Sequence, residues 1–194
     1  MTANYASLAK TKQTLAPLIG DGIRLRLLQA EDLATILAWR NREDTRHQFI
    51  HSEIITWENH LSWWEGYKSK ANDFVFIIEE TQQLNRPVGQ VSLYNMDLEK
   101  SEAEYGRLMI GDNEARGKGL ARRATGLLIS WAFNSVDLKR IYLEVFMNNT
   151  VAVNLYRRCG FVPYGKRGEL CLMSISRKSV SNALATVEGR DNGI

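Results

Sequence analysis

The sequence predicts a protein of the α/β class, of the α+β type, folded as one domain. Strand-like two-residue alternation and helical spacing of three to four residues follow one another along the chain. The length of 194 residues is enough for one domain with a full core and slightly short for two of average size. Apolar residues at 44% and charged residues at 24% are ordinary values for a globular protein.

The first half of the chain predicts a strand, two helices and a hairpin. These segments are IRLRLL (23–28), AEDLATILAWR (30–40), WENHLSWWEGYKSK (57–70), FVFII (74–78) and VGQVSLY (88–94). The first alternates apolar and basic residues, and the next two have helical spacing. Thr56 is the expected N-cap of the second helix, with Trp57, Leu61 and Trp64 as its buried stripe. FVFII suits a strand covered on both faces, and the turn at 85–87 separates it from its partner.

The second half predicts a strand followed by two helix–strand units. These segments are AEYGRLMI (103–110), a helix from Leu120 to about Ser135, RIYLEVF (140–146), NTVAVNLYRRC (149–159) and ELCLMSI (169–175). The second helix stops at Gly160, and one or two strands follow it. We therefore divide the chain into an N-terminal extension (1–22), the domain (23–176) and a polar C-terminal tail (177–194).

Charge balance and cysteine content exclude several partner classes. The chain has 25 Lys and Arg against 22 Asp and Glu, with a formal charge of +3 and a pI near 8.9. This excess of basic residues is smaller than nucleic-acid-binding proteins usually have, so any anion should be recognised by a few residues at one site. No apolar run approaches the ~18–20 residues of a membrane span. Cys159 and Cys171 are too few for a disulfide framework, so we expect a cytoplasmic protein. From the charge balance and the lack of a long apolar run, we expect neither nucleic-acid nor membrane partners.

The stretch IGDNEARGKGLARRATG, residues 110–126, is typical of an anion-binding turn before a helix. Its glycines let a phosphate approach the backbone, and the first N–H groups of the following helix point toward such a ligand. Arg116, Lys118, Arg122 and Arg123 lie at the positive end of the helix dipole, which is unfavourable unless an anion lies among them. A plain turn with a solvated basic face would explain the glycines alone.

The spacing of this turn excludes two common phosphate-binding motifs. A nucleotide P-loop needs Gly where Asp112 stands, and Ser or Thr where Gly119 stands. The dinucleotide fingerprint built on Gly117 and Gly119 needs Gly or Ala where Arg122 stands. The turn therefore belongs to neither class.

Two segments together carry a family resemblance. RGKGLA resembles the Arg/Gln-x-x-Gly-x-Gly/Ala motif of the GNAT acetyltransferase superfamily, and NTVAVNLYRRCGF is similar to its Asn-x-x-Ala-x-x-Leu-Tyr-x-x-x-Gly-Phe segment. The matching residues are Arg116, Gly119, Ala121, Asn149, Ala152, Leu155, Tyr156, Gly160 and Phe161. The resemblance implies a GNAT-type domain with a twisted, mixed, mostly antiparallel sheet of six to seven strands and about four helices. That sheet splays open between its fourth and fifth strands, here AEYGRLMI and RIYLEVF.

The resemblance also implies acetyl-CoA as the cofactor, bound in that opening. Backbone N–H groups of residues 117–121 would bind the pyrophosphate, residues 109–111 would pair with the pantetheine arm, and Asn149 and Ala152 would contact it from the other side. The implied cofactor-binding residues are Met109, Ile110, Gly111, Arg116, Gly117, Lys118, Gly119, Leu120, Ala121, Arg122, Asn149, Ala152 and Tyr156. Arg123 is an alternative to Arg122 for a CoA phosphate.

Two residues are implied as catalytic. Tyr156 lies where the superfamily often places a general acid for the departing thiolate, and packing of its helix is the alternative role. Glu104 matches a position that deprotonates the ammonium in several relatives, usually through water, and an exposed strand carboxylate is the alternative. A backbone N–H near Met109 or Ile110 is the candidate for holding the carbonyl oxygen.

The acceptor is expected to bind at the tryptophan-rich segment that begins at residue 39. Trp39, Arg40, Asn41, Arg46 and His60 form a pattern that resembles acetyltransferases of nucleotide-linked amino sugars. Aromatic faces suit a sugar or base, and arginines suit a diphosphate. An aromatic core with a mixed charged surface would explain the segment as well. His47 and His51 are four residues apart, but nothing in the sequence guarantees a helix there and no carboxylate has metalloprotease spacing, so no metal is expected.

The sequence therefore predicts an acetyl-CoA-dependent N-acetyltransferase in which a small-molecule amine attacks the thioester directly. A nucleotide-linked amino sugar is the expected acceptor, and the expected state is a monomer or a homodimer. Protein N-termini, as on ribosomal proteins, and polyamines are alternatives, although a polycation would favour an acidic pocket. A non-catalytic acyl-CoA-binding regulatory module is an alternative of another class, against which the presence of both Tyr156 and Glu104 argues.

Overall fold

The structure, a computed structural model, describes residues 5–178. Its α-helices are α1 (Tyr5–Thr14), α2 (Leu33–Asn41), α3 (Glu43–Arg46), α4 (Trp57–Ser69), α5 (Leu120–Asn134) and α6 (Thr150–Arg158). Its strands are β1 (Leu18–Gly20), β2 (Ile23–Leu27), β3 (Phe74–Glu80), β4 (Arg86–Asp97), β5 (Glu102–Ile110), β6 (Arg140–Phe146), β7 (Val162–Arg167) and β8 (Leu170–Ser176). The polar tail predicted from residue 177 lies, apart from Arg177 and Lys178, outside the described residues.

All eight strands form one sheet in the order β1-β2-β3-β4-β5-β6-β8-β7. Every neighbouring pair is antiparallel except β5 and β6, which are parallel. The predicted fold class is confirmed, with slightly more strands than expected. The difference arises at the edges, because β1 has three residues and β7 has no buried residue, so neither shows a clear alternation. Among residues 5–178, no helix has the length and apolarity needed to cross a membrane.

The segment ahead of the predicted domain joins the same sheet. β1 pairs with β2 from Leu18 to Gly20, and α1 packs on the core through Leu8, which is 5% exposed. The Lys12 ammonium donates to the Tyr67 and Lys70 carbonyls at 2.7 and 2.9 Å. These carbonyls lie at the C-terminal end of α4, where Lys70 is the C-cap and its N–H also donates to the Tyr67 carbonyl. Lys12 therefore ties α1 to the last turn of α4.

The sheet buries both of its faces, and β3 shows how. Phe74, Phe76 and Ile78 belong to the larger hydrophobic cluster, with the α5 stripe. Val75 and Ile77 alternate with them and join a second cluster with α2 and α4. Every residue of β3 is therefore buried, which explains the unbroken apolar run in its sequence.

The predicted buried stripe of α4 was wrong at Trp57 and Leu61, although its N-cap was correct. Thr56 Oγ1 accepts from the Asn59 N–H at 3.2 Å, but Trp57 and Leu61 are 43% and 36% exposed. The inward face carries His60 and Tyr67, with Trp63 and Trp64 packed partly against the second cluster. Aromatic residues lie at helical spacing on two adjoining faces of this helix, so periodicity could not show which face is buried. The packing of α4 against α2 determines the buried face.

The sheet opens between β5 and β6. The two strands pair only from Glu102, Ala103 and Glu104 to Arg140, Ile141 and Tyr142. Beyond Glu104, β5 continues to Ile110 and β6 to Phe146 without pairing to each other. The predicted splay is thus present, and it leaves a gap lined by backbone and side chains of both strands.

Candidate active site

The glycine-rich turn after β5 presents a row of unpaired backbone donors. Gly117 and Gly119 have φ of +75° and +73°, a backbone region that suits glycine. Within residues 5–178, the N–H groups of residues 117–122 donate to no backbone or side-chain acceptor. A Cβ placed on Gly117 or Gly119 would meet no atom within 4 Å. The turn therefore forms an open cradle for an anion at the start of α5.

The basic side chains of this turn divide into two kinds. Arg116 donates to Asp44 Oδ2 at 2.6 Å and to the Ile110 carbonyl at 3.3 Å. Arg123 donates to the carbonyls of Asp21 at 2.6 Å and Lys118 at 3.3 Å. These two arginines hold the turn in shape, whereas Arg122 is exposed on the first turn of α5. Arg122 is thus the better candidate for a phosphate contact.

The gap between β5 and β6 forms a cleft of about 520 Å³. β5 contributes residues 104–108, and β6 with the start of α6 contributes residues 144–146, Asn149, Ala152 and Tyr156. A third wall comes from Arg40, near the end of α2, and from residues 48–51, which follow α3. The cleft therefore brings together three segments that are distant in the sequence.

Tyr156 lies on α6 with its ring in an aromatic cluster. The ring centroid lies 5.8 Å from those of Tyr105 and Phe161, and Tyr156 is 8% exposed. Asn149 sets the position of α6, because its Oδ1 caps the helix by accepting from the Ala152 N–H at 3.1 Å. Burial raises the pKa of Tyr156 well above its usual range, so the phenol keeps its proton at neutral pH. Within residues 5–178 its hydroxyl has no hydrogen-bond partner.

Glu104 lies where β5 and β6 separate. Tyr94 Oη donates to its Oε1 at 2.8 Å, and Asn95 Nδ2 donates to its Oε2 at 2.9 Å. Glu104 and Tyr156 both line the cleft. The cleft therefore holds a carboxylate that can accept a proton and a phenol that can donate one.

Of the five predicted acceptor residues, Arg40 alone lines the cleft. Its guanidinium lies 4.2 Å from the Phe49 ring centroid, and it donates to the His51 carbonyl. Asn41 makes two hydrogen bonds with the backbone of Ile55, at 2.8 and 2.9 Å. Arg46 donates to the Ser52 carbonyl at 3.0 Å. Asn41 and Arg46 thus fix the loop that forms the third wall.

Trp39 and His60 lie away from the cleft lining, in the packing of α2 and α4. His60 is 7% exposed and stacks on Trp63 at 5.3 Å. Burial lowers the pKa of His60, which favours the neutral imidazole. Trp39 covers the backbone of Gly111, where a Cβ would come within 2.0 Å of the indole. Both side chains were candidates for acceptor contacts, and the structure gives them packing positions instead.

The GNAT acetyltransferase domain model matches residues 23–162, which include the turn, the cleft strands and α6. The chain belongs to the GNAT acetyltransferase family. The spermidine N(1)-acetyltransferase of Vibrio cholerae is 32% identical over 143 residues, covering 74% of this chain and 80% of that protein. An uncharacterized Methanocaldococcus jannaschii protein, MJ1062, is 26% identical over 140 residues, covering 72% of this chain. This chain spans 28% of that archaeal relative.

The fold of this GNAT domain also matches solved structures. A Vibrio cholerae spermidine N-acetyltransferase in complex with CoA and spermine superposes with a TM-score of 0.74. The match covers 82% of this chain and 98% of that one at 24% identity. The enzyme class and the acetyl donor predicted from the sequence are confirmed for the domain.

The GNAT site fits coenzyme A on its own chemistry. The unpaired N–H groups of residues 117–122 suit a pyrophosphate, and the bare glycines leave room for it. The gap beyond Glu104 leaves the inner edge of β5 without a strand partner, as a pantetheine arm requires. Asn149, which caps α6, and Ala152 line the wall of the cleft opposite β5, where they would contact the cofactor.

Several cleft residues were not predicted from the sequence. Tyr94, Gln48, Arg107, Leu108, Phe146, Glu144 and Arg167 all line the cleft. Arg107 has a φ of +52° at an irregularity in the β4–β5 pairing, between the Gln90 and Ser92 registers. Such a bulge leaves no signal in the hydrophobic pattern. Glu144 and Arg167 form an ion pair.

The contact between Trp39 and Gly111 predicts a large effect of one methyl group. Gly111→Ala is expected to lower the free energy of unfolding by about 1–3 kcal/mol, because the added Cβ overlaps the partly buried indole. Urea unfolding followed by tryptophan fluorescence measures it. Gly66→Ala is the matched control, since a Cβ at Gly66 meets nothing within 4 Å. Equal unfolding free energies for Gly111→Ala and wild type would contradict this packing.

Proposed function

We propose that the protein is an acetyl-CoA-dependent N-acetyltransferase that modifies the amino group of a nucleotide-linked amino sugar. The observation that carries this proposal is the environment of Arg40 in the acceptor wall. Within the described residues its guanidinium forms no ion pair with a carboxylate, and its Nη1 is buried without a partner. An arginine of this kind suits a phosphate of the acceptor.

The surroundings of Arg40 add to this proposal. Burial lowers its pKa, and the nearby charge of Arg46 lowers it further against the opposing effect of Glu53. Two neighbouring cations favour binding of an anion. The Phe49 ring under the guanidinium provides an apolar face at the same wall. A diphosphate linked to a sugar or base would use both features.

The chemistry assigns separate roles to Glu104 and Tyr156. Acetyl-CoA, when bound, supplies a thioester carbonyl that an amine can attack. Glu104 accepts a proton from the acceptor ammonium, so that an N–H bond breaks, an O–H bond forms, and the electron pair stays on nitrogen. As the C–N bond forms and the C–S bond breaks, Tyr156 would give its proton to the sulfur and would regain a proton from the new amide nitrogen. Its raised pKa keeps the phenol protonated until then.

A polyamine acceptor is the second candidate, because the Vibrio cholerae relative is named a spermidine N(1)-acetyltransferase. A polycation needs carboxylates along its length to offset the loss of hydration. The cleft offers Glu104, held by Tyr94 and Asn95, and Glu144, paired with Arg167. Few free anionic groups are left for further ammonium groups, so the amino sugar is the better fit.

The acceptor can be identified by thiol release. The purified protein is incubated with acetyl-CoA and with matched panels of nucleotide-linked amino sugars, spermidine and peptides with free N-termini. We expect the highest kcat/KM with an amino-sugar nucleotide. A higher kcat/KM with spermidine or a peptide would contradict the acceptor. Acetyl-CoA binding without thiol release for any amine would instead indicate a non-catalytic regulatory module.

Arg40→Gln tests the observation behind the acceptor. We expect it to raise KM for the nucleotide-linked acceptor by roughly 10–100-fold, because a charge-assisted hydrogen bond is lost. The Kd of acetyl-CoA, measured by calorimetry, should be unchanged. Arg158→Gln, at an exposed position on α6, is the control. An unchanged acceptor KM in Arg40→Gln would contradict the phosphate contact.

A further inference from the structure

The candidate base Glu104 is held by a residue that the sequence motifs do not include. Tyr94 on β4 donates to Glu104 Oε1 at 2.8 Å, and it lines the cleft. Burial and the adjacent Glu104 charge raise the pKa of Tyr94 well above its usual range. The phenol is therefore the donor in this bond throughout the physiological pH range.

The ring of Tyr94 is in turn held by a contact with Arg107. The Arg107 guanidinium lies 4.2 Å from the Tyr94 ring centroid. Arg107 also forms two hydrogen bonds with Asp73, at 2.7 and 3.1 Å, and Asp73 is 4% exposed. A planar fork bonded at both ends to a buried carboxylate has little freedom to move.

The backbone of Arg107 supports the same interpretation. Its φ of +52° is a conformation that costs an L-residue about 1–2 kcal/mol, and the surrounding structure must hold it there. The Asp73 pair, the Tyr94 contact and a hydrogen bond of 3.3 Å from Gln90 Nε2 to the Arg107 carbonyl can hold it there. Backbone strain of this kind often occurs at functional sites.

We propose that Tyr94 is a positioning residue for Glu104 in acetyl transfer, and that the Asp73–Arg107 pair fixes Tyr94 in that role. The inference rests on the proposed function, because it needs Glu104 to accept the proton of the acceptor. One hydrogen bond on each oxygen, from Tyr94 and Asn95, holds the carboxylate in a single orientation. Each oxygen keeps a lone pair for the proton.

Other charged and titratable groups surround this carboxylate and act in every variant. On the neighbouring strands and the cleft walls they are Asp73, Glu102, Tyr105, Arg107, Arg140, Tyr142, Glu144, Tyr156, Arg167, Arg40 and His51. A test must therefore change the hydroxyl of Tyr94 and leave these groups in place.

Tyr94→Phe meets that condition, since it keeps the ring on which Arg107 stacks. We expect the acid limb of the pH profile of kcat/KM to move up by about one pH unit, because the carboxylate loses a hydrogen bond that favours its charged form. We expect kcat at pH 7 to fall by about tenfold through looser orientation. The Kd of acetyl-CoA should stay within about twofold. Tyr164→Phe, at an exposed tyrosine of β7, should change none of these values.

Arg107→Lys tests the second half of the inference. It keeps the cation but loses the fork to Asp73 and the planar stack on Tyr94. The acid limb of the pH profile of kcat/KM should move to higher pH, as in Tyr94→Phe, but by a smaller amount. Wild-type kcat and pH profile in Arg107→Lys would show that the pair does not fix Tyr94.

Two failures can be told apart by including Glu104→Gln. An inactive Glu104→Gln with an unchanged profile in Tyr94→Phe overturns the positioning role and leaves the proposed function standing. Wild-type turnover in Glu104→Gln overturns the base assignment itself, and the inference about Tyr94 with it. Urea unfolding of Tyr94→Phe confirms that the compared proteins are folded.

Discussion

Tyr156→Phe is expected to lower kcat for acetyl transfer by about 10²-fold, the lower end of what a positioned proton donor contributes. The ring contacts with Tyr105 and Phe161 are kept, so the variant should fold normally. The hydroxyl has no hydrogen-bond partner within residues 5–178, and its loss leaves no described group unpaired. The Kd of acetyl-CoA should therefore stay within about twofold. Thiol release under saturating substrates, with calorimetric binding, measures both quantities.

Tyr105→Phe is the matched control for this prediction. Tyr105 is 1% exposed, and its hydroxyl shares a hydrogen bond of 2.7 Å with Thr125 Oγ1. Removing it should cost about 1 kcal/mol of unfolding free energy without a change in kcat. If Tyr156→Phe weakens acetyl-CoA binding and turnover of the bound donor is unchanged, Tyr156 has a packing role only.

Gly119→Val is expected to raise the Kd of acetyl-CoA by at least roughly 10²-fold. Gly119 has a φ of +73°, which a β-branched residue adopts only as an outlier. The open space beside its Cα is where a pyrophosphate would approach the unpaired N–H groups. A valine side chain fills that space and distorts the turn. Calorimetry on the folded variant, checked by circular dichroism, measures the loss.

Gly126→Ala supplies the comparison within the same helix. Gly126 lies in α5, has no unusual φ, and a Cβ there meets nothing within 4 Å. Alanine should stabilise the helix by about 0.8–1.0 kcal/mol and leave acetyl-CoA affinity unchanged. Wild-type affinity in a folded Gly119→Val protein would contradict the phosphate cradle.

The turn and the α6 N-terminus, which form the proposed donor half of the site, were predictable because their signals are local. The conformation of the turn depends on Gly117 and Gly119, and the N-terminus of α6 depends on the Asn149 cap. Both are set within a few residues of sequence. The motif segments therefore indicated the turn, the helix and Tyr156 in their correct positions along the chain.

The acceptor half was less predictable, because its residues are selected by packing. Helical spacing could not tell the inward face of α4 from the face that carries Trp57 and Leu61. Trp39 lies on Gly111 and His60 on Trp63, and the sequence gives no sign of either contact. Tyr94 faces Glu104 through strand register, and the bulge at Arg107 interrupts that register.

By itself, the sequence determined the fold class, the strand and helix order of the domain, and the glycine-rich turn in which we propose that the donor binds. These features depend on periodicity and backbone conformation, which neighbouring residues set. The tertiary structure decided that β5 and β6 pair over three residues and then separate. It also decided that Arg40, Tyr94 and Glu104 share one cleft with Tyr156. Pairing and packing join residues far apart in the chain, and no local pattern records which of them meet.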